Sequence, residues 1–405
     1  MQYSTRLRTA LVLTGTGTAG AYHAGVLRAL NEAGVRIDLV AGRGAGAIGA
    51  TFAAVDGGQR LWERDGLWKQ HAVTRAYRWR WPLRVAGWAM IVSAALLAIP
   101  LALFAVGVLA ALAGLTLSFA GFQGASAVVT SSYARTLDAL FAPAALPTIV
   151  PRLVVLVLLV AAAILGIRAA LGRWSGVRVG GRRRAARWTL WSLAGAPLSA
   201  DVLLERAVAE LWNLIRGAAT IAAPPRQDLG RRYLELLADN VGQPGFRELL
   251  LLAHDVDARA DLVFALLGET RRQAFFRGPR DDRRAMQAFD LAGIGREHLM
   301  DALAASLAVP VATAPPLITF AADGPWRGET HRLADRPGAL ARLLEEAAAA
   351  GAEQAIVVSG APPSTNPHEL SAGRSDPRGR AAEQLGAFET VELRDALAAP
   401  PSLLR

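Results

Sequence analysis

The feature that most constrains this chain is a long stretch without charge. No Asp, Glu, Lys or Arg occurs between Arg84 and Arg135, and the segment Val85–Phe122 consists almost entirely of Ala, Leu, Val, Ile, Phe and Gly. A transmembrane helix needs about 20 consecutive apolar residues, so this stretch is long enough to cross a bilayer even when tilted. The sequence therefore predicts a membrane span at about residues 87–115.

A second apolar run, Leu153–Ile167, is shorter and lies between Arg152 and Arg168. With Pro151 at the start of a helix and both arginines reaching back to the headgroups, a second span is expected at about residues 151–171. A buried core helix is the alternative for this run. Arginines flank the pair on both sides, and basic flanks remain in the cytoplasm. We therefore expect a transmembrane hairpin in the cytoplasmic (inner) membrane, with the soluble domain in the cytoplasm.

The basic flanks also explain the overall charge of the chain. The formal net charge is +10, almost all of it from arginine, and no nucleic-acid partner is needed to account for it. The chain contains no cysteine, which excludes a disulfide scaffold, a thiol nucleophile and a cysteine metal site. The histidines have no metal-ligand spacing. We accordingly predict no metal and no cofactor.

The rest of the sequence alternates short apolar runs with helical patterns, which predicts an α/β fold. A strand at Thr9–Leu13, a glycine turn and a helix at Ala21–Ala33 are followed by a second strand, a second glycine turn and a second helix. The hairpin thus interrupts one α/β domain. The expected divisions are residues 1–84 and 173–360 for this domain, 85–172 for the insert, and 361–405 for a C-terminal loop and tail.

The first glycine turn, Gly15-Thr16-Gly17-Thr18-Ala19-Gly20, matches the G-x-G-x-x-G pattern between a strand and a helix. In a dinucleotide site, the unpaired amides at the helix N-terminus would bind a pyrophosphate. That fingerprint also requires an acidic residue at the end of the second strand, whereas Asp38 lies near its start. Dinucleotide binding is therefore the weaker interpretation of this turn.

The two glycine turns together have a more specific interpretation. The run Leu13–Leu27 resembles the N-terminal signature of patatin-like phospholipases, and Ile37–Ile48 resembles the nucleophile-elbow segment of that family. Further segments resemble its later motifs in the same order: Ala305–Pro310, Asp323-Gly324 and the strand Ala355–Ser359. The resemblance implies a patatin-like α/β/α sandwich that acts on membrane lipids as a serine acyl hydrolase.

The resemblance also implies roles for individual residues. The backbone amides of Gly15, Thr16 and Gly17 would form the oxyanion hole, and Asp323 would be the aspartate of the family's Ser–Asp dyad. A plain Asp-Gly turn is the alternative for Asp323. The nucleophile of such a site is the serine of a G-x-S-x-G elbow, and Gly44 stands in that position here.

This substitution decides the functional expectation. The elbow is Gly42-Arg43-Gly44-Ala45-Gly46, and glycine has no side chain that can attack an ester. In addition, Thr16 replaces a glycine of the oxyanion loop and Ala19 replaces a basic residue. We expect a catalytically inactive protein that binds lipid or holds a protein partner at the cytoplasmic membrane face. The alternative is an active phospholipase or esterase that uses an unrecognised nucleophile or a water; the loop threonines are assigned to turn hydrogen bonds.

Overall fold

The structure is a computed structural model that describes residues 3–63, 66–68, 76–140, 146–174, 196–277, 286–360 and 377–398. The described residues divide into two compact units. An α/β unit contains the residues before 79 and those from 196 onward, and a helical unit contains residues 79–174. The basic flank predicted after the second span lies outside the described residues from position 175 onward.

Strands and helices alternate along the α/β unit. The strands are β1 (Thr9–Thr14), β2 (Leu39–Arg43), β3 (Arg78–Trp79), β4 (Leu198–Ser199), β5 (Glu248–Asp255), β6 (Ala260–Leu266), β7 (Ala288–Asp290), β8 (Leu317–Thr319), β9 (Thr330–Ala334) and β10 (Gln354–Ser359). The α-helices in the described part of the chain are α1 (Gly20–Glu32), α2 (Ala45–Ala53), α3 (Trp81–Phe119), α4 (Gln123–Leu140), α5 (Leu146–Trp174), α6 (Asp201–Arg216), α7 (Arg226–Asn240), α8 (Glu269–Arg277), α9 (Leu299–Ser306), α10 (Leu340–Ala349) and α11 (Pro377–Ala398).

The main sheet has the strand order β10-β1-β2-β5-β6-β7, with β9 also paired to β5 and β8 to β9. β10, β1, β2 and β5 run parallel to one another, whereas β6 is antiparallel to β5. The register places Thr14 opposite Ser359, and Leu13 opposite Gly42. Because parallel strands end at the same edge of a sheet, the turns that follow β1 and β2 lie side by side.

The central strands are apolar throughout because helices cover both faces of the sheet. Alternate residues point to opposite faces. Leu11, Leu13 and Val40 pack in a core layer with α1 and α2, whereas Val12 and Leu39 pack in a second layer with α10 and α11. This arrangement confirms the predicted α/β class with a mainly parallel central sheet.

The C-terminal region contains a helix that we did not expect. The sequence led us to predict a loop and tail over residues 361–405, but α11 forms at Pro377–Ala398, while residues 361–376 and 399–405 lie outside the described part. Pro377 suits the first turn of a helix, and the residues that follow are mostly good helix formers. Leu393 and Ala396 of α11 pack against the second core layer, so this segment belongs to the fold.

In the helical unit, α3 has 39 residues, which corresponds to a length of about 58 Å. It is the one helix in the described part of the chain that is long and apolar enough to cross a membrane. Its apolar side chains face outward, and Leu101 and Phe104 are both more than two-thirds exposed. The apolar part of α5, Arg152–Ile167, is shorter and falls below the length of a span.

The segment between the two predicted spans forms α4, which runs back along α3. Tyr133 Oη donates a hydrogen bond of 2.8 Å to the Leu103 carbonyl, and Ser126 Oγ donates one of 2.7 Å to the Gly114 carbonyl. The later residue of α4, Tyr133, contacts the earlier residue of α3, and the earlier residue Ser126 contacts the later one. The two helices are therefore antiparallel. Hydroxyl-to-carbonyl bonds of this kind join helices in apolar surroundings.

In the α/β unit, α2 begins in direct contact with the end of β1. A Cβ atom placed on Gly46 would lie 2.1 Å from the Leu13 carbonyl oxygen, a distance at which backbone has to move. Glycine at position 46 therefore allows the first turn of α2 to pack against β1, which brings the turn after β2 beside the loop after β1.

We predict that Gly46→Ala lowers the free energy of unfolding by more than about 2 kcal/mol, because a methyl group in a filled space forces backbone shifts. The matched control is Gly25→Ala on α1, where nothing lies within 4 Å of the added Cβ. That change should stabilise the protein by about 0.5–1 kcal/mol through helix propensity. Urea unfolding of the full chain in detergent, followed by tryptophan fluorescence, measures both. Equal effects of the two substitutions would contradict the tight contact.

Candidate functional site

The candidate site is built around the turn that joins β2 to α2. Gly44 occupies this turn with φ 56° and ψ −135°. Residues with side chains rarely adopt a positive φ, and glycine does so without steric cost. A sharp strand-to-helix turn of this kind is the structural setting of a nucleophile elbow, which displays its central residue above the edge of the sheet.

The space beside Gly44 is already filled by the loop that follows β1. A Cβ atom placed on Gly44 would lie 2.3 Å from the Gly15 carbonyl oxygen, closer than real Cβ atoms come to any neighbour. The same oxygen accepts a hydrogen bond of 2.7 Å from the backbone N–H of Ala45. Gly15 therefore directs a hydrogen-bond acceptor at the elbow. Of the predicted oxyanion residues Gly15, Thr16 and Gly17, Gly15 contacts the elbow directly, and this contact closes the loop against it.

The carboxylate nearest to Gly44 belongs to Asp335. Its Oδ2 atom would lie 2.9 Å from a Cβ on Gly44, and the residue is buried directly after β9. Asp323 lies instead in an exposed turn after β8, where the Gly324 N–H donates to the Ala321 carbonyl at 3.1 Å. The structure thus places Asp335, and not Asp323, at the elbow.

Asp335 has only a weak signal in the sequence. An Asp-Gly pair drew attention to Asp323, whereas Asp335 is followed by Arg336-Pro337-Gly338. The strand β9 that carries Asp335 to the site pairs with β5 and β8, and these contacts are remote in sequence. Its position in the fold could therefore be recognised only from the strand pairing.

A buried arginine occupies the centre of the site. Arg43 precedes Gly44 on β2, and its side chain is 1% exposed. Its Nη1 atom lies 3.3 Å from each carboxylate oxygen of Asp335, and its Nη2 donates to Glu389 Oε1 at 3.2 Å. The Glu392 carboxylate is 3.8 Å from the same nitrogen. We call Arg43, Asp335, Glu389 and Glu392 the Arg43 cluster.

Two members of the Arg43 cluster come from α11. Glu389 is 4% exposed, and its Oε1 also accepts a hydrogen bond of 2.8 Å from the Thr16 hydroxyl. Glu392 accepts a hydrogen bond from the backbone N–H of Leu340 at the start of α10. Sequence analysis missed both glutamates. Their spacing of three residues, which places them on one face of a helix, is the signal that could have identified them.

The acidic groups of the cluster outnumber its single guanidinium. Burial raises the pKa of Asp335 to about 6; Arg43 opposes this rise and Glu389 adds to it. Burial likewise raises the pKa of Glu392. Burial works to lower the pKa of Arg43, but the three carboxylates outweigh it, and the pKa lies above its ordinary value. The cluster therefore holds a permanent cation and an excess of carboxylates.

His23 holds the start of the glycine loop through a hydrogen bond. It is buried on α1, and its Nε2–H donates a hydrogen bond of 2.7 Å to the Thr14 carbonyl at the end of β1. Burial lowers the pKa of His23 to about 4, so the ring is neutral near pH 7. Thr16 bonds to α11 rather than within the turn as expected, and the side chain of Thr18 is not among those described.

This arrangement is suited to holding a carboxylate and not to attacking an ester. Gly44 offers no nucleophile, and Asp335 is engaged by Arg43 through both of its oxygens. Arg43 and Thr16 together donate to a single carboxylate oxygen of Glu389. Such charge-assisted hydrogen bonds are about twice as strong as neutral ones.

The sequence profile described as patatin-like phospholipase matches residues 11–335, which is well over half of the chain. Among curated proteins, the chain is similar to patatin-like phospholipase domain-containing protein 6 of Mus musculus, Pongo abelii and Homo sapiens, with 48% identity over 60 residues in each case. The aligned segment makes up 15% of this chain and only 4% of each of these relatives. No solved structure matches the chain significantly.

We predict that ionisation of Asp335 makes the free energy of unfolding depend on pH. Because its pKa is about 6 in the folded protein against 3.8 as the ordinary value, the folded state binds more protons between about pH 4 and 6. The free energy of unfolding should therefore fall as the pH rises through this window. Asp335→Asn cannot ionise at this position and should show a smaller decline, because Glu392, whose pKa burial also raises, still contributes to it. Urea unfolding from pH 4 to 7 would measure both profiles. The control Asp323→Asn, in an exposed turn, should follow the unmodified protein; parallel profiles for all three would refute the prediction.

Proposed function

Because the chain belongs to the patatin-like phospholipase family, we propose that it is a membrane-anchored member that has lost acyl-ester hydrolysis and binds lipid instead. The observation that carries this proposal is the geometry at residue 44. The position suited to a nucleophile has no side chain, and the Gly15 carbonyl oxygen fills the space that a side chain would need.

The assignment of position 44 rests on its surroundings. Gly44 lies in a strand-to-helix turn between glycines at positions 42 and 46, as the serine of a G-x-S-x-G elbow does. We assign the place of the dyad aspartate to Asp335, which faces residue 44 and is also the last residue of the family match. In a working dyad this carboxylate would be paired with the nucleophile; here it is paired with Arg43.

Loss of the oxyanion hole supports the same conclusion. An oxyanion hole requires N–H groups directed at the developing negative charge. The Ala45 N–H, which follows the nucleophile position, is occupied by the Gly15 carbonyl. Restoring a serine would therefore leave the site without free space and with one of its donors already engaged.

The proposed membrane anchor is α3, together with α5 as the returning span. The length and apolar surface of α3 support the first crossing. Arg78, Arg80 and Arg84 precede its apolar part, and basic residues of this kind favour the cytoplasmic side. The α/β unit would then face the cytoplasm, where membrane lipids are its nearest ligands.

We prefer lipid binding to a role in holding a protein partner because the site contains hydrogen-bond donors that suit the carboxylate of a lipid. Arg43 and Thr16 form a ready pair of donors for a carboxylate oxygen. The family name refers to the hydrolysis of phospholipids, which releases the acyl chain as a fatty acid with a free carboxylate. An active hydrolase that uses a water or another nucleophile is the competing function, and the following experiment separates the two.

We predict that the full chain shows no saturable labelling by a fluorophosphonate probe and no turnover of p-nitrophenyl butyrate. Gly44→Ser should also remain inactive, because its Cβ would overlap the Gly15 carbonyl, and should be less stable than the unmodified protein. Stoichiometric labelling of any side chain of the unmodified protein would refute the loss of hydrolysis. Activity gained by Gly44→Ser would refute the closed site while leaving the missing nucleophile as the cause of inactivity.

The topology can be tested by cysteine labelling, since the chain has no cysteine of its own. Gln123→Cys introduces a thiol after the far end of α3, and Ala349→Cys introduces one at the end of α10; both positions are exposed. In spheroplasts, a membrane-impermeant maleimide should react with the first variant at once and with the second only after lysis. Reaction of both variants from outside, or of neither, would contradict the hairpin with a cytoplasmic α/β unit.

A further inference from the structure

The helix α11 contacts both the Arg43 cluster and the second core layer, the first through a charged side chain and the second through apolar ones. α11 contributes a carboxylate, Glu389, at the cluster, and apolar side chains, Leu393 and Ala396, at positions four and seven residues further along. Residues at these spacings lie on one face of a helix. The face of α11 that the domain binds therefore presents a carboxylate followed by apolar side chains, over a rise of about 10 Å from Glu389 to Ala396.

We propose that α11 is an internal substitute for a long-chain carboxylate, and that a fatty-acid anion displaces it from Arg43 and Thr16. This inference rests on the proposed lipid-binding function and specifies its ligand. The carboxylate of the fatty acid would replace that of Glu389, and its hydrocarbon chain would cover the apolar surface that Leu393 and Ala396 cover in the structure.

The polar end of the site is built to hold a carboxylate. Arg43 is 1% exposed and donates from Nη2 to Glu389, and the Thr16 hydroxyl donates to the same oxygen. The Nε–H of Arg43 is buried and has no hydrogen-bond partner. The guanidinium thus retains an unused donor, which lowers the stability of the form with α11 bound. A carboxylate placed to accept from this N–H would remove that cost.

The charge balance requires exchange rather than addition. Asp335, Glu389 and Glu392 already surround one guanidinium, and Glu389 helps to raise the pKa of Asp335. A further anion beside these groups would meet like-charge repulsion at close range. An incoming carboxylate therefore binds only when that of Glu389 leaves, and the departure of Glu389 displaces the helix that carries it.

The position of α11 outside the family match agrees with a role as a displaceable element. The family match ends at residue 335, so α11 lies beyond it, whereas Arg43 and Thr16 lie within it. α11 is held to the site by Glu389 and to the start of α10 by Glu392. Both of these polar contacts are made by carboxylates, which the carboxylate of a fatty acid can replace, while its hydrocarbon chain replaces the packing of Leu393 and Ala396.

The test is hydrogen–deuterium exchange of the full chain in phosphatidylcholine nanodiscs, with palmitate as the probe. Palmitate should speed the exchange of amides in residues 377–398, whereas hexadecanol and methyl palmitate, which have the same chain without the carboxylate, should not. This measurement uses the unmodified protein and so does not depend on the folding of a variant. Unchanged protection of α11 at saturating palmitate, or an equal effect of hexadecanol, would overturn the proposal.

A pair of variants tests the role of Glu389. Glu389→Gln keeps the shape of the side chain and removes its charge, so the closed form should weaken and palmitate should bind roughly tenfold more tightly. The control Asp395→Asn, at an exposed position on α11, should bind palmitate as the unmodified protein does. Equal affinity of all three proteins would count against the exchange of carboxylates.

These outcomes are distinct from a failure of the proposed function. The palmitate and hexadecanol arms of the exchange experiment contain no ester, so their results do not depend on hydrolysis. Palmitate that binds while α11 stays protected would overturn this inference and leave lipid binding intact. Labelling by the fluorophosphonate probe would overturn the inactive assignment without changing the exchange result.

Discussion

The burial of Arg43 is the constraint on which the site depends. A guanidinium removed from water costs several kcal/mol unless carboxylates and hydrogen bonds compensate for it. Asp335 supplies part of the compensation from the end of β9, and Glu389 and Glu392 supply the rest from α11. One buried cation therefore fixes the relative positions of β2, β9 and α11. The Thr16 hydroxyl adds the glycine loop to the same cluster.

The absence of a side chain at residue 44 determines how closely the loop after β1 approaches the elbow. A serine would keep the Gly15 carbonyl away from the elbow; with glycine, the loop approaches until that carbonyl bonds to the Ala45 N–H. The elbow retains its positive φ, which costs glycine nothing. The loop contact and the pairing of Asp335 with Arg43 then stabilise this closed arrangement of the elbow.

Local patterns predicted much of the fold, and long-range contacts account for what they missed. Two units of strand, glycine turn and helix, β1 to α1 and β2 to α2, could be recognised because apolar periodicity and glycine are local signals. The turn that contains Gly44 followed from the same pattern, whereas the prediction that residue 44 is the nucleophile position came from the family resemblance. Asp335 could not be chosen over Asp323 because that choice depends on the pairing of β9 with β5. The helix α11 was missed because its Pro, Gly and Arg content obscured a helical segment whose stability comes from packing against the sheet.

An internal carboxylate is a strong competitor for its own site, and this determines where a free ligand could act. A group held on the same chain acts at an effective concentration in the millimolar range. A fatty acid dissolved in water remains far below that concentration, whereas one that has partitioned into a bilayer is concentrated in a thin layer. A protein held at the membrane by α3 would meet its ligand in that layer. In this proposal, anchoring and self-occupation of the site would be complementary: the helix α11 would exclude dilute anions, and the membrane would supply a carboxylate at a competitive concentration.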